Sequence, residues 1–250
     1  MKRHFFNGLL GTAATLAGVL AASAAQAFSP TASPLPSDLW SFFNQEFVQP
    51  ERLEFQNTSA FKLDPMSLVF ASGASPLEVF FINEGAGMRG SLFTKINGGT
   101  EQTVIQEISS RHSVLPEDDG VLELSQGWNL GKQAAGTKVE FLLSPWQGSD
   151  WRYGADPSKN PDGLQHIIAY QYQDWVILGF EDLFGELGAT GGNNQNSDRD
   201  FNDVVIAIRG LAGTRIDQPP ADVPEPSTML ALFGVGAFGA LTRRRRSQES

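Results

Sequence analysis

Short apolar runs separated by turn-forming clusters dominate the chain from Leu53 onward. They recur at 68–71, 77–83, 91–96, 103–108, 121–124, 139–143 and 165–172, then at 175–178 and 204–208. Val, Ile, Phe and Trp fit a pleated surface packed on at least one side, so each run predicts a strand. Many short strands with turn signals between them predict an all-β fold, an antiparallel β-sandwich of jelly-roll-like kind. In 78–83 the apolar residues fall on both parities, Val79 and Phe81 on one and Phe80 and Ile82 on the other. That strand is therefore expected to be buried on both faces. No internal repeat is present.

A different period precedes the strands. Residues 29–36 carry three prolines and read as a linker. In the following SDLWSFFNQEF, Trp40, Phe43 and Phe47 fall on one face at helical spacing, and Ser37 and Asp38 offer an N-cap. A short amphipathic helix over 37–47 is expected, its aromatics turned to the core.

The two most β-prone runs, 175–178 and 204–208, flank a loop rich in side-chain oxygens. Glu181 and Asp182 end the first run, and Asp198, Asp200 and Asp203 introduce the second, with Asn202 among them. Five carboxylates gathered together repel and raise one another's pKa unless a cation sits among them. Calcium, with six to eight oxygen ligands at about 2.3–2.6 Å, suits a flexible loop, and magnesium is the weaker candidate because it demands a tight octahedral shell. A solvated acidic hairpin loop is the competing reading, since Asn and Asp also favour turns for local reasons. The EF-hand pattern does not fit: counted from Asp198, the sixth position is Asp203 and the twelfth Arg209. Strand parity would send Asp200 and Asp203 to opposite faces, so a shared ion requires a turn at 201–203, a strand starting near Val204 and a buried Phe201 as anchor.

FINEGAGMRGSL at 81–92, LQHIIAY at 164–170, VILGFEDL at 176–183 and SDRDFNDVVIAI at 197–208 together resemble the bacterial domain of unknown function 4114. The resemblance covers roughly 78–209, and it implies a β-sandwich with a calcium-binding corner. A longer Asn/Gly insert before Asp198 departs from the family pattern.

Both ends carry address signals. Lys2 and Arg3, an apolar Ala/Leu-rich run and AQA at 25–27 have the form of a secretory signal peptide, with cleavage by signal peptidase expected after Ala27. At the other end, Pro224, Glu225 and Pro226 precede an apolar stretch, 229–241, and four arginines, 243–246. Thirteen residues rise only about 20 Å as a helix, short of the roughly 30 Å hydrocarbon core. The arginines would hold that end on the cytoplasmic side, giving transient membrane association. This tail resembles the PEP-CTERM sorting signal. The resemblance implies removal by a membrane-embedded processing enzyme and delivery to the surface or exterior of exopolysaccharide-making Gram-negative bacteria. The expected organisation is a signal peptide (1–27), a linker (28–36), a sandwich domain (37–216), a second linker (217–223) and a sorting tail (224–250).

Residues 28–223 hold 12 Lys and Arg against 26 Asp and Glu. So acidic a surface argues against nucleic acid and anionic lipid as partners and is compatible with divalent cations. Cysteine is absent, so an exported form has no disulfides to lean on. In the longest loop, 144–163, Trp146, Trp151 and Tyr153 are either sugar-stacking contacts for exopolysaccharide or pins that hold the loop to the domain. Glu84, next to Gly85 and Gly87, is either a cation ligand or an ordinary turn carboxylate, with the glycines permitting a positive φ. His166 reads as structural, and His112 has no evident partner. A non-catalytic, calcium-stabilised surface or matrix protein accounts for these features. The alternative is a hydrolase acting on exopolysaccharide through paired carboxylates. No G-x-S-x-G nucleophile motif is present.

Overall fold

The computed structural model describes residues 28–31, 33–45, 60–71, 76–87, 89–113 and 120–216. Both address signals, the expected second linker (217–223) and Phe47 lie outside these residues. The elements in chain order are β1 (Ser29–Pro30), α1 (Ser37–Phe43), β2 (Phe61–Leu63), β3 (Val69–Phe70), β4 (Glu78–Asn83), β5 (Gly90–Ile96) and β6 (Gln102–Ile108). They continue with β7 (Gly127–Asn129), β8 (Val139–Ser144), β9 (Tyr153–Gly154), β10 (Ile167–Tyr172), β11 (Trp175–Phe180), β12 (Thr190–Gly191), β13 (Asn194–Gln195), β14 (Val204–Arg209) and β15 (Leu211–Ala212).

The strands form an antiparallel sandwich. One sheet has seven strands in the order β1-β7-β4-β14-β11-β10-β2, and the other has four, β6-β5-β8-β9. Two small pairs, β12-β13 and β15-β3, complete the fold. Between the sheets, Val79, Phe81, Val176, Leu178, Val204 and Ile206 pack with Leu92, Val104, Phe141 and Leu143 in one cluster. Each such side chain contributes about 1.5–3 kcal/mol of burial, so this cluster dominates the stability.

The seven-stranded sheet is covered on its other face as well. Phe80, Ile82, Ile177, Val205 and Ala207 form a second cluster with Leu35 and Phe43. Helix α1 is thus a lid on the outer face, pinned where the Trp40 indole N–H donates to Ile82 O at 2.8 Å. The double burial expected for β4 follows: Val79 to Asn83 are all buried.

Several local expectations change. The segment before α1 is no free linker, because β1 pairs with β7 and Leu35 is buried. The α-helical part is Ser37–Phe43, with Asn44 and Gln45 continuing as π-helix, and Pro36 occupies the N-cap, which places Ser37 and Asp38 inside the first turn. No strand forms at 121–124: Val121 is 80 % exposed and makes only an isolated bridge to Ser110. The β-prone side chains there lose to a left-handed Ser125 (φ 67°), and the strand starts at Gly127 instead. Gly85 adopts no positive φ; it is needed for close approach, since a Cβ there would lie 2.2 Å from Asn202 Oδ1.

Candidate metal centre

Strands β11 and β14 are neighbours, with Phe180 opposite Val204. The residues leaving β11, Glu181 and Asp182, therefore lie beside those entering β14, Asn202 and Asp203. The Asp182 N–H donates to Asp203 Oδ2 at 2.6 Å across this junction. Glu181 is tied to β10 by its backbone: its N–H donates to His166 O at 3.0 Å, and its carbonyl meets His166 Nδ1 at 2.7 Å.

The approach to β14 is sharply bent, as the shared-ion reading of the sequence requires. Arg199 (φ 55°) and Phe201 (φ 60°) both lie in the left-handed region, and the strand begins only at Val204. For a residue with a Cβ that conformation costs roughly 1–2 kcal/mol. Phe201 is half-buried against the outer cluster, with the Arg199 guanidinium 5.0 Å above its ring. The Asn202 N–H donates to Asp200 Oδ1 at 3.1 Å, and its carbonyl accepts from Gly85 N at 3.0 Å. Its side-chain oxygen packs against Gly85.

The carboxylates meet in two groups that share Glu181. Glu181, Asp182 and Asp203 form one and Glu181, Asp198 and Asp200 the other; in each, one oxygen per residue lies within 4.8 Å of the others. The first group is buried, whereas Asp200 is half-buried and Asp198 exposed. Burial, then the charges of Glu181 and Asp198, pushes the Asp182 carboxyl up to about 8. Burial and Asp182 drive Asp203 well above its ordinary range. Glu181 is raised to about 6 by burial and Asp198, against the Ser197 hydroxyl and the Leu183 N–H that bond it. Glu181 is fully buried, yet its Oε2 has no hydrogen-bond partner.

A second layer supports this cluster. His166, also fully buried, stacks on Tyr153 with ring centroids 3.7 Å apart, and its Nε2 lies 2.9 Å from Asp162 Oδ2. Burial draws the His166 pKa below its usual value. Burial alone would raise Asp162, but the Gly185 N–H, His166 and the Leu164 N–H hold its carboxyl low. The Gly185 bond, 2.9 Å long, fastens the start of the acidic loop to this layer. The Tyr153 hydroxyl is buried without a partner, its pKa raised by burial and then by Asp162, Asp182 and Glu181. Arg199 donates through Nη2 to Gln165 O, while its Nη1 is buried without a partner.

Four other candidates fall outside the carboxylate cluster. Tyr153 is inside the core, and Trp151 packs between Trp146 and Phe184 with centroids 5.1 and 5.2 Å away. These rings pin the long loop, and Tyr153 in particular is out of reach of a sugar. Glu84 accepts from Ser110 N at 2.7 Å, joining the end of β4 to the 110–113 turn. Asp162 and Ser197 had no counterpart in the sequence reading; Asp162 meets Gly185, distant in sequence, because β10 pairs with β11.

The sandwich and its acidic strand-end loop describe an all-β domain with clustered carboxylates at one sheet end, and the family comparisons cover the segments that carry them. Residues 125–210 match the family Domain of unknown function (DUF4114), and residues 222–246 match the PEP-CTERM protein-sorting motif. The first match contains the whole acidic loop and its supporting layer but leaves out 81–92, the first motif of the sequence resemblance. The second marks the protein as exported and handled by a sorting enzyme. Among the described residues no helix is long and apolar enough to cross a membrane. Comparison with curated proteins and with solved structures finds no match.

Proposed function

We propose that this is a non-catalytic protein of the cell surface or extracellular matrix whose sandwich is locked by calcium at the junction of β11 and β14. One observation carries the reading: Glu181 is fully buried, its Oε2 is unpartnered, and Asp182 and Asp203 stand within 4.8 Å of it. A buried acceptor without a partner costs about 1–3 kcal/mol, more when charged. A hard cation with oxygen ligands removes that cost and the mutual repulsion together. The carboxylates converge on one another, which suits an ion. Exopolysaccharide association belongs to the same proposal, with half-exposed Trp146 as the ring able to meet a sugar.

The experiment is thermal unfolding in chelator and in millimolar calcium. Ligand bound only to the folded state at one hundred times Kd stabilises it by about 2.7 kcal/mol, so Tm should rise by several degrees. An unchanged Tm, or an equal rise with magnesium, refutes calcium as the lock.

A further inference from the structure

The distances between the carboxylates set how many ions they can serve. Two oxygens on one calcium ion, each at about 2.3–2.6 Å, cannot be more than about 5 Å apart. Asp182 and Asp203 satisfy that limit with Glu181, and so do Asp198 and Asp200. Among the described residues no group meeting it joins one pair to the other. A single ion could therefore take one pair with Glu181 and would leave the other pair beyond its reach. We propose that the loop holds two calcium ions, an inner one on Glu181, Asp182 and Asp203 and an outer one on Glu181, Asp198 and Asp200, with the Glu181 carboxylate bridging them. This rests on the calcium reading above and adds a second, separate site to it.

Two further observations fit the bridge. Glu181 is the residue common to both groups, and of the five carboxylates in them it is the one with a buried oxygen that lacks a hydrogen bond; Glu84 Oε2, outside the loop, shares that state. Its Oε1 accepts from Leu183 N at 3.2 Å, so the carboxylate is oriented by its own loop while Oε2 stays open. Charge points the same way. Five carboxylates with Arg199 beside them carry a negative excess that two divalent ions match and one only halves. Burial sorts the two sites: the inner triad is wholly buried, and the outer includes exposed Asp198, so the outer ion exchanges with solvent and the inner one is enclosed.

The test counts ions. Mature protein purified from an exporting host is stripped with chelator, titrated with calcium by calorimetry, and weighed by native mass spectrometry. Two calcium ions per chain are expected. Asp200→Asn, on the rim, should leave one slowly exchanging ion, and Asp203→Asn should leave one rapidly exchanging ion. Glu181→Gln should weaken both sites at least tenfold. Far-UV circular dichroism establishes that each variant is folded, and the wild-type count decides the matter if one is not. One ion per wild-type chain overturns the bridged pair and leaves the single-ion lock standing. No ion overturns both. Two ions retained by Asp200→Asn would refute the outer ligand set.

Discussion

Replacing Asp182 by Asn should make the metal-free protein more stable and the calcium response smaller. The substitution keeps the shape of the side chain and the backbone N–H that bonds Asp203 Oδ2, and it removes a carboxyl that burial and its neighbours hold up at about 8. In the unfolded chain the same group titrates near the ordinary aspartate value of 3.8. Folding without metal at pH 7 must therefore take up a proton, at about 1.36 kcal/mol for each pH unit above that value, or roughly 4 kcal/mol in all. Glu181, Asp182 and Asp203 share this cost, so a gain of about 2–4 kcal/mol is expected for Asp182→Asn in chelator at pH 7, or on the order of 5–15 °C in Tm. The sign in pH follows. A carboxyl raised in the folded state leaves the fold unpenalised below about pH 4 and makes it progressively less stable up to about pH 8. The variant's advantage should accordingly vanish by pH 4, and its melting curve should flatten between pH 4 and 8. The assay is thermal unfolding in chelator across that range, repeated in calcium. A variant equal to or less stable than wild type in chelator at pH 7 would refute burial and mutual repulsion as the defining tension of this site.

Other expected outcomes are simpler to read. Asp203→Ala should lose most of the calcium-induced Tm shift and Asp200→Ala only the part that the outer ion supplies, while Glu186→Ala, exposed and outside both carboxylate groups, should keep it; loss in Glu186→Ala alone would place the ligands elsewhere. Gly85→Ala drives a Cβ to 2.2 Å from Asn202 Oδ1 and should destabilise by about 1–3 kcal/mol, measured by urea unfolding, because the 199–203 turn must shift. Protein from the native host should have an intact mass that starts at Phe28 and ends between Val223 and Ser227; a mature species still carrying Arg243 to Arg246 would contradict removal of the tail.

Most of the sandwich was legible in the alternation of apolar residues, because a strand's side chains declare their faces two by two. The runs that became β4, β5, β8, β11 and β14 are long enough for that period to stand out. The failures share a cause. At 121–124 propensity favoured a strand, but the neighbouring strand pairs with Gly127–Asn129, and local preference cannot see which segment reaches the edge. The site divided the same way. The bend before Val204 followed from parity, since Asp200 and Asp203 could not otherwise approach one side. The roles of Asp162, His166 and Tyr153 depended on the antiparallel register of β10 against β11 and on a β8-β9 contact, both long-range facts. Division of the carboxylates into two groups was equally hidden, because it is set by distances of an ångström or two that spacing along a chain does not encode.

Pairing of β11 with β14 also makes the acidic loop a closed circuit: it leaves the sheet after Phe180 and returns at Val204, the very residue Phe180 faces. Whatever lies between Gly185 and Ser197 hangs outside the anchored ends, where the β12-β13 hairpin now sits largely exposed. Lengthening a flexible loop costs only about 0.6 kcal/mol for each doubling. The hairpin tip at Gly192–Asn193 is thus a natural grafting point: an epitope or enzyme tag spliced there would ride on the outside of an exported protein without disturbing the register that gathers the carboxylates.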